Sequence, residues 1–133
     1  MKGSCVCGNV AFAVDVAIEK LYQCHCKICQ KQTGTSAVTG CFVATGNFRW
    51  ISGEDSISSF TKPSGYRYDF CRCCGATVPN MFRSGDKVWI PVGAFDEPIS
   101  AKVTDHIFVK YKAGWDEIGG DGRLHDEFYP VYE

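Results

Sequence analysis

Nine cysteines in 133 residues constrain this chain more than any other feature, and their spacing matters more than their number. Cys5 and Cys7 form C-x-C, Cys24, Cys26 and Cys29 form C-x-C-x2-C, and Cys71 and Cys74 form C-x2-C; Cys41 and Cys73 are left over. Spacers this short let two thiolates from one tight turn reach the same ion at ~2.3 Å each. The count is odd, and it falls below the ~8–10% cysteine of disulfide scaffolds. The opening residues, Met1-Lys2-Gly3-Ser4-Cys5, carry no secretory apolar run. A reducing, cytoplasmic compartment is therefore expected, where clustered thiols bind metal or do chemistry. Nine separately buried small hydrophobes would not fall into three tight clusters.

The clusters differ in the residue next to their last cysteine. Gly8 comes after Cys7 and Gly75 after Cys74, whereas Gln30 comes after Cys29. A zinc knuckle favours glycine just after its second ligand, where the chain turns through positive φ and amides point at the sulfurs. Pairing the two glycine-bearing knuckles puts Cys5, Cys7, Cys71 and Cys74 in one closed, all-thiolate zinc site that contributes folding energy and does no chemistry. Cys73 sits between two of these ligands and is expected to face outward, although Cys71, Cys73 and Cys74 all compete for that knuckle. Cys24, Cys26 and Cys29 remain as three thiolates in one short segment. Three protein ligands with a fourth position open to water or substrate is the arrangement of a catalytic zinc. A second structural site and a redox C-x-x-C are the alternatives. His25 would close the site as a fourth ligand, but neighbours in an extended segment face opposite sides, so it is expected to point away.

The rest of the chain is that of one folded domain, residues 1–133. Hydrophobic residues make up 45% and aromatic residues 14%, enough apolar surface to exclude disorder. A net charge of −1 offers no broad basic field for nucleic acid, and no apolar run approaches the ~20 residues of a membrane span. Period-two alternation predicts a strand over Val10, Phe12, Val14 and Val16, and Leu21-Tyr22-Gln23 a second strand delivering Cys24. One helical turn is predicted over Gln30–Gly34. Ala37–Ala44 and Phe48–Ile51 read as strands around the Thr45-Gly46-Asn47 turn. Ile57–Thr61 with Tyr66–Phe70, and Thr77–Phe82 with Lys87–Val92, read as hairpins, and Val103–Tyr111 as a last strand before a polar tail. The fold class is all-β.

With Gly3-Ser4-Cys5-Val6-Cys7-Gly8, Cys24-His25-Cys26-Lys27-Ile28-Cys29 and Phe70-Cys71-Arg72-Cys73-Cys74-Gly75 in that order, the chain resembles the glutathione-dependent formaldehyde-activating enzyme family, which includes the centromere protein V type domains. The resemblance runs from Gly3 to about Trp115 and includes Gly93-Ala94-Phe95-Asp96 and His106-Ile107-Phe108. It implies a β-tent fold, shared with small zinc-binding chaperone-like proteins, in which short antiparallel sheets are clamped by a four-cysteine zinc. It also implies a second, catalytic zinc on Cys24, Cys26 and Cys29, hence two zinc ions per chain. The activity it implies joins glutathione and formaldehyde to give S-(hydroxymethyl)glutathione, a carbon–sulfur lyase run in reverse on small-molecule substrates.

In that chemistry a zinc at the open position lowers a thiol pKa or polarises the aldehyde. Lys27 and Lys31 would offset the net negative charge of three thiolates and one dication, or meet the glutathione carboxylates; as ordinary solvated lysines they would do neither. His25, His106 and His125 are the candidate general acids or bases, each with a plain structural alternative. Thr33, Gly34, Thr35 and Ser36 form a polar loop that would donate to a peptide-like ligand or simply turn the chain. Tyr66, Tyr68, Phe82 and Trp89 are expected in the core, and Cys41 buried and inert in a strand. The competing function is a zinc-stabilised binding module for a small thiol or protein partner without turnover. A methionine-sulfoxide-reductase-like redox protein fits poorly, since that chemistry wants a lone nucleophilic cysteine beyond two C-x2-C pairs.

Overall fold

A computed structural model describes residues 1–132 as two compact units, one of residues 1–17 and 42–99 and one of residues 18–41 and from 100 on. In the first unit, β1 (Lys2–Ser4), β2 (Ala11–Val14) and β5 (Phe48–Ser52) form an antiparallel sheet in the order β1-β2-β5. Val10, Phe12 and Val14 are buried as their alternation predicts, and Ala13 is buried with them. Val16 is exposed because β2 ends at Val14, whose amide and carbonyl both pair with Met1. The Phe12 ring packs against Phe48 at 5.7 Å and Phe95 at 5.6 Å between centroids. Opposite it on β1 stands Gly3, where a Cβ would lie 2.2 Å from Phe12 Cζ and 2.7 Å from the Ala94 carbonyl.

Sheet partners differ from the expected ones where a local constraint intervenes. β4 (Val38–Ala44) and β5 are joined by the 3-10 turn Thr45–Asn47, yet β5 pairs with β2. Thr45 is tied to the Gly85 and Asp86 carbonyls instead, which carries the chain away from a hairpin. β6 (Ile57–Thr61) and β7 (Arg67–Cys71) do form the expected hairpin, and β8 (Thr77–Val78) pairs on the far side of β7. Pro79 splits the predicted Thr77–Phe82 strand, because it has no N–H to donate. Its first half pairs with β7, and its second half, β9 (Asn80–Met81), pairs with β10 (Lys87–Pro91).

The facing of β7 is the opposite of an aromatic-in reading. Arg67, Asp69 and Cys71 share one side of the strand, with Asp69 and Cys71 buried. Asp69 is matched by a two-pronged hydrogen bond from Arg67 at 2.8 Å and 2.8 Å. Tyr66 and Tyr68, expected in the core, are half-buried and line up with Phe60 and Phe70 on the other side. Phe82 and Trp89 are half-buried too.

In the second unit the strand order is β12-β11-β3-β4, with β3 at Leu21–Cys24, β11 at Val103–Ile107 and β12 at Arg123–Leu124. β3 is antiparallel to β4 but parallel to β11, and β11 is parallel to β12. The expected Val103–Tyr111 strand stops at Ile107, because Phe108 adopts a left-handed conformation (φ 55°) and Val109–Tyr111 close one 3-10 turn. The tail folds back on this turn: the amides of Phe108 and Val109 donate to the Glu127 and His125 carbonyls, and the His125 amide donates to His106. The one α-helix among the described residues, α1 (Lys27–Thr33), follows β3. Among the described residues no helix is long and apolar enough to cross a membrane.

The close approach at Gly3 gives a direct stability test. Gly3→Ala should destabilise the protein by about 1–3 kcal/mol in chemical denaturation through forced overpacking. Gly46→Ala, where a Cβ meets nothing within 4 Å, should leave the midpoint unchanged.

Candidate metal centres

Cys5, Cys7, Cys71 and Cys74 come together with all four sulfurs within 4.8 Å of one another. The Cys5–Cys7 and Cys7–Cys71 sulfur separations are 3.6 Å and 3.8 Å. Four sulfurs held at ~2.3 Å by a tetrahedral ion stand ~3.8 Å apart, so this donor set fits zinc in both chemistry and spacing. The two knuckles share one local design. In each, the amide of the following glycine donates to the carbonyl of the first cysteine, Gly8 to Cys5 at 3.0 Å and Gly75 to Cys71 at 2.7 Å. Both glycines take positive φ, 81° and 77°, as the sequence pattern requires.

Hydrogen-bond donors surround these sulfurs. The Val10 amide points at Cys5 Sγ from 3.2 Å. Backbone amides of Ala76 and Cys7 draw the Cys74 thiol down to about 6, and that of Cys74 lowers Cys71. Buried Cys5 and Cys71 pack with Val10 and Val78, and Trp50 and Ile57 lie against them. Cys73 faces outward as expected, with the Asn9 side-chain amide 3.9 Å from its sulfur, and is not part of the cluster.

Cys24, Cys26 and Cys29 form the second group, again with sulfurs within 4.8 Å. Cys24 ends β3 and Cys26 caps α1, its sulfur accepting from the Cys29 amide at 3.4 Å. The helix therefore begins at Lys27 rather than Gln30, and a three-residue step within its first turn brings Cys26 and Cys29 together. It ends where expected, at Gly34 (φ 69°). Cys24 and Cys29 are buried and Cys26 is half-exposed. The electrostatics are those of three acids forced to share one site. Hydrogen bonds from Cys24 and Cys29 pull the Cys26 thiol down to about 2, while Cys26 pushes Cys24 up to about 11 and Cys24 pushes Cys29 up further. One thiolate forms easily and the next two are resisted, a penalty that a bound dication removes.

The histidines lie away from the sulfurs. His25, 1% exposed, points away from the cluster, with Nδ1 2.7 Å from Asp116 Oδ2 and Nε2 3.0 Å from His106 Nδ1. Burial, then the facing His25, lowers the pKa of His106. His125 pairs with buried Asp105 at 2.8 Å and stacks on Tyr129. Lys27 and Lys31 are exposed on α1. In the polar loop, the Thr33 hydroxyl donates to the Cys29 carbonyl at 2.8 Å and so finishes the helix. Cys41 is buried in β4, where desolvation pushes its thiol up to about 12. Asp116, partner of His25, went unnoticed in the sequence, since an acid in a polar tail carries no motif.

The family described as glutathione-dependent formaldehyde-activating enzyme matches residues 1–111. No curated protein matches the chain. Among solved structures, the chain is similar to the crystal structure of a Rhodobacter sphaeroides protein, 20% identical over 77% of this chain and 97% of that chain, with a TM-score of 0.63. That likeness is one of fold.

Two clusters of this kind predict close to two zinc ions per chain in elemental analysis of anaerobically purified protein. Cys26→Ser should stay folded with close to one, whereas Cys5→Ser or Cys74→Ser should unfold or aggregate, because a structural zinc supplies folding free energy.

Proposed function

This chain belongs to the glutathione-dependent formaldehyde-activating enzyme family, and we propose that it acts as a zinc-dependent carbon–sulfur lyase of the S-(hydroxymethyl)glutathione synthase type. In the synthetic direction the glutathione sulfur bonds to the formaldehyde carbon. The carbonyl π pair moves to oxygen, and the thiol proton ends on that oxygen. Nothing is oxidised or reduced. The observation that carries this reading is the convergence of Cys24, Cys26 and Cys29 with no His, Cys, Asp or Glu joining them as a fourth donor among the described residues, the intervening His25 being held by Asp116 and His106. A zinc ion bound there would supply positive charge to a thiolate sulfur or to the developing alkoxide.

The chain's own groups divide the remaining tasks. Cys24, Cys26 and Cys29 are the catalytic-site ligands, with half-exposed Cys26 on the accessible side. Cys5, Cys7, Cys71 and Cys74 would hold a closed ion that fixes the fold of their unit. Lys27 and Lys31, exposed on the helix that carries Cys29, would meet the carboxylates of glutathione. The buried His25–His106 pair supports the loop rather than reaching the thiols. All nine cysteines are free thiols, which suits the reducing, cytoplasmic compartment of this reading. We read the chain as one functional domain because the family match includes parts of both compact units. Near-neutral charge supports small-molecule partners over nucleic acid.

The reaction is best followed by NMR exchange spectroscopy on glutathione and formaldehyde at equilibrium. The protein should accelerate exchange between free glutathione and its hydroxymethyl adduct, and Cys26→Ser should return it to the buffer rate. Exchange unchanged by the zinc-loaded protein would reject the lyase and leave a binding module.

A further inference from the structure

The three-thiol cluster rests on a clamp whose outermost member lies beyond the family match. His25 stands between Cys24 and Cys26, and each of its polar groups is engaged. Its amide donates to the Ile107 carbonyl at 3.0 Å, and its carbonyl accepts from Gln30 Nε2 at 2.9 Å. Its Nε2 meets His106 Nδ1 at 3.0 Å and its Nδ1 meets Asp116 Oδ2 at 2.7 Å. A carboxylate only accepts, so Nδ1 carries the proton, and in the neutral ring Nε2 is left to accept from His106. Asp116, 8% exposed, thereby fixes the tautomer and plane of His25, and through it the order of the whole chain of contacts. The same Gln30 amide also donates to the Tyr111 carbonyl at 3.1 Å, so the segment ending at Asp116 holds the cysteine loop at two points.

We propose that Asp116 is a positioning residue for the metal held by Cys24, Cys26 and Cys29: by orienting His25 it sets the separation of the Cys24 and Cys26 sulfurs on either side. Two observations carry this independently. The residue joining those two thiols is tethered on both sides of its Cα, by its amide and its carbonyl, and its ring is the remaining tether, held by Asp116 and His106. Asp116 bonds the His25 ring and not a thiol, so it acts on the metal through that ring. Groups hydrogen-bonded directly to a ligand typically change metal affinity by about 10–100-fold, and Asp116, one residue further back, is expected at the lower end of that range. The inference rests on the proposed three-thiol metal site but not on the reaction assigned to it.

The test is competition for zinc between the protein and a chromophoric chelator, read site by site, for the parent, Asp116→Ala and Asp116→Asn. The parent should release zinc in two steps. Asp116→Ala should weaken the step belonging to the three-thiol cluster about tenfold or more and leave the four-thiol step unchanged. Asp116→Asn, whose side-chain oxygen still accepts from Nδ1–H, should show a smaller loss. Two unchanged steps in Asp116→Ala would overturn the inference, as would equal weakening of both steps, or failure of both variants to fold. A parent with a single step would remove the three-thiol site and this inference together. Selective weakening in a protein inert toward glutathione and formaldehyde would reject only the lyase reading.

Discussion

Thiols packed within van der Waals range of one another are the constraint on which everything else depends. In each cluster at least one thiol is driven down and at least one is held up, since anions a few ångströms apart in one site resist each other. The group at Cys24, Cys26 and Cys29 displays this most openly, with one thiol driven far down and its neighbours driven up. A dication reverses the balance by binding every thiolate at once. The folded chain holds its sulfurs where that exchange is favourable, and strands, turns and caps are arranged to deliver them.

The two clusters are delivered by different means. The four-thiol group uses two loops of the same design, each turned by a glycine at positive φ and each filling its unit's interior with one buried cysteine. Its four sulfurs would saturate a tetrahedral ion. The three-thiol group uses the end of a strand and the start of a short helix, so its donors come from one short stretch and leave a side unclaimed. Difference in local backbone thus becomes a difference in donor number, four sulfurs in one centre and three in the other, which is what the proposed division into a sealed and an open site draws on.

Much of this was legible because cysteine spacing and the glycine after a second ligand are short-range signals. Gly8 and Gly75 singled out four cysteines whose sulfurs the fold brings together across nearly half the chain, and the alternation around Phe12 located the first unit's core. What escaped was set by long-range contacts. No local pattern says that Phe48–Ser52 will join β2 rather than β4, or that β11 will run parallel to β3. The facing of β7 follows from Cys71 having to reach its cluster, which puts Asp69 inside and the tyrosines half outside. Pro79 was a readable breaker that the hydrophobic run concealed. Asp116 acquires its role only when the tail folds back onto His25, a contact between residues far apart in sequence.

In the proposed function one sulfur centre is closed and the other open. NMR of the cadmium-substituted protein tests it most directly, because each bound cadmium reports its own ligands. Two resonances of equal area are predicted, one indifferent to added glutathione and the other shifting as a thiolate enters the vacant position. A single resonance, or two that both ignore the added thiol, would contradict it.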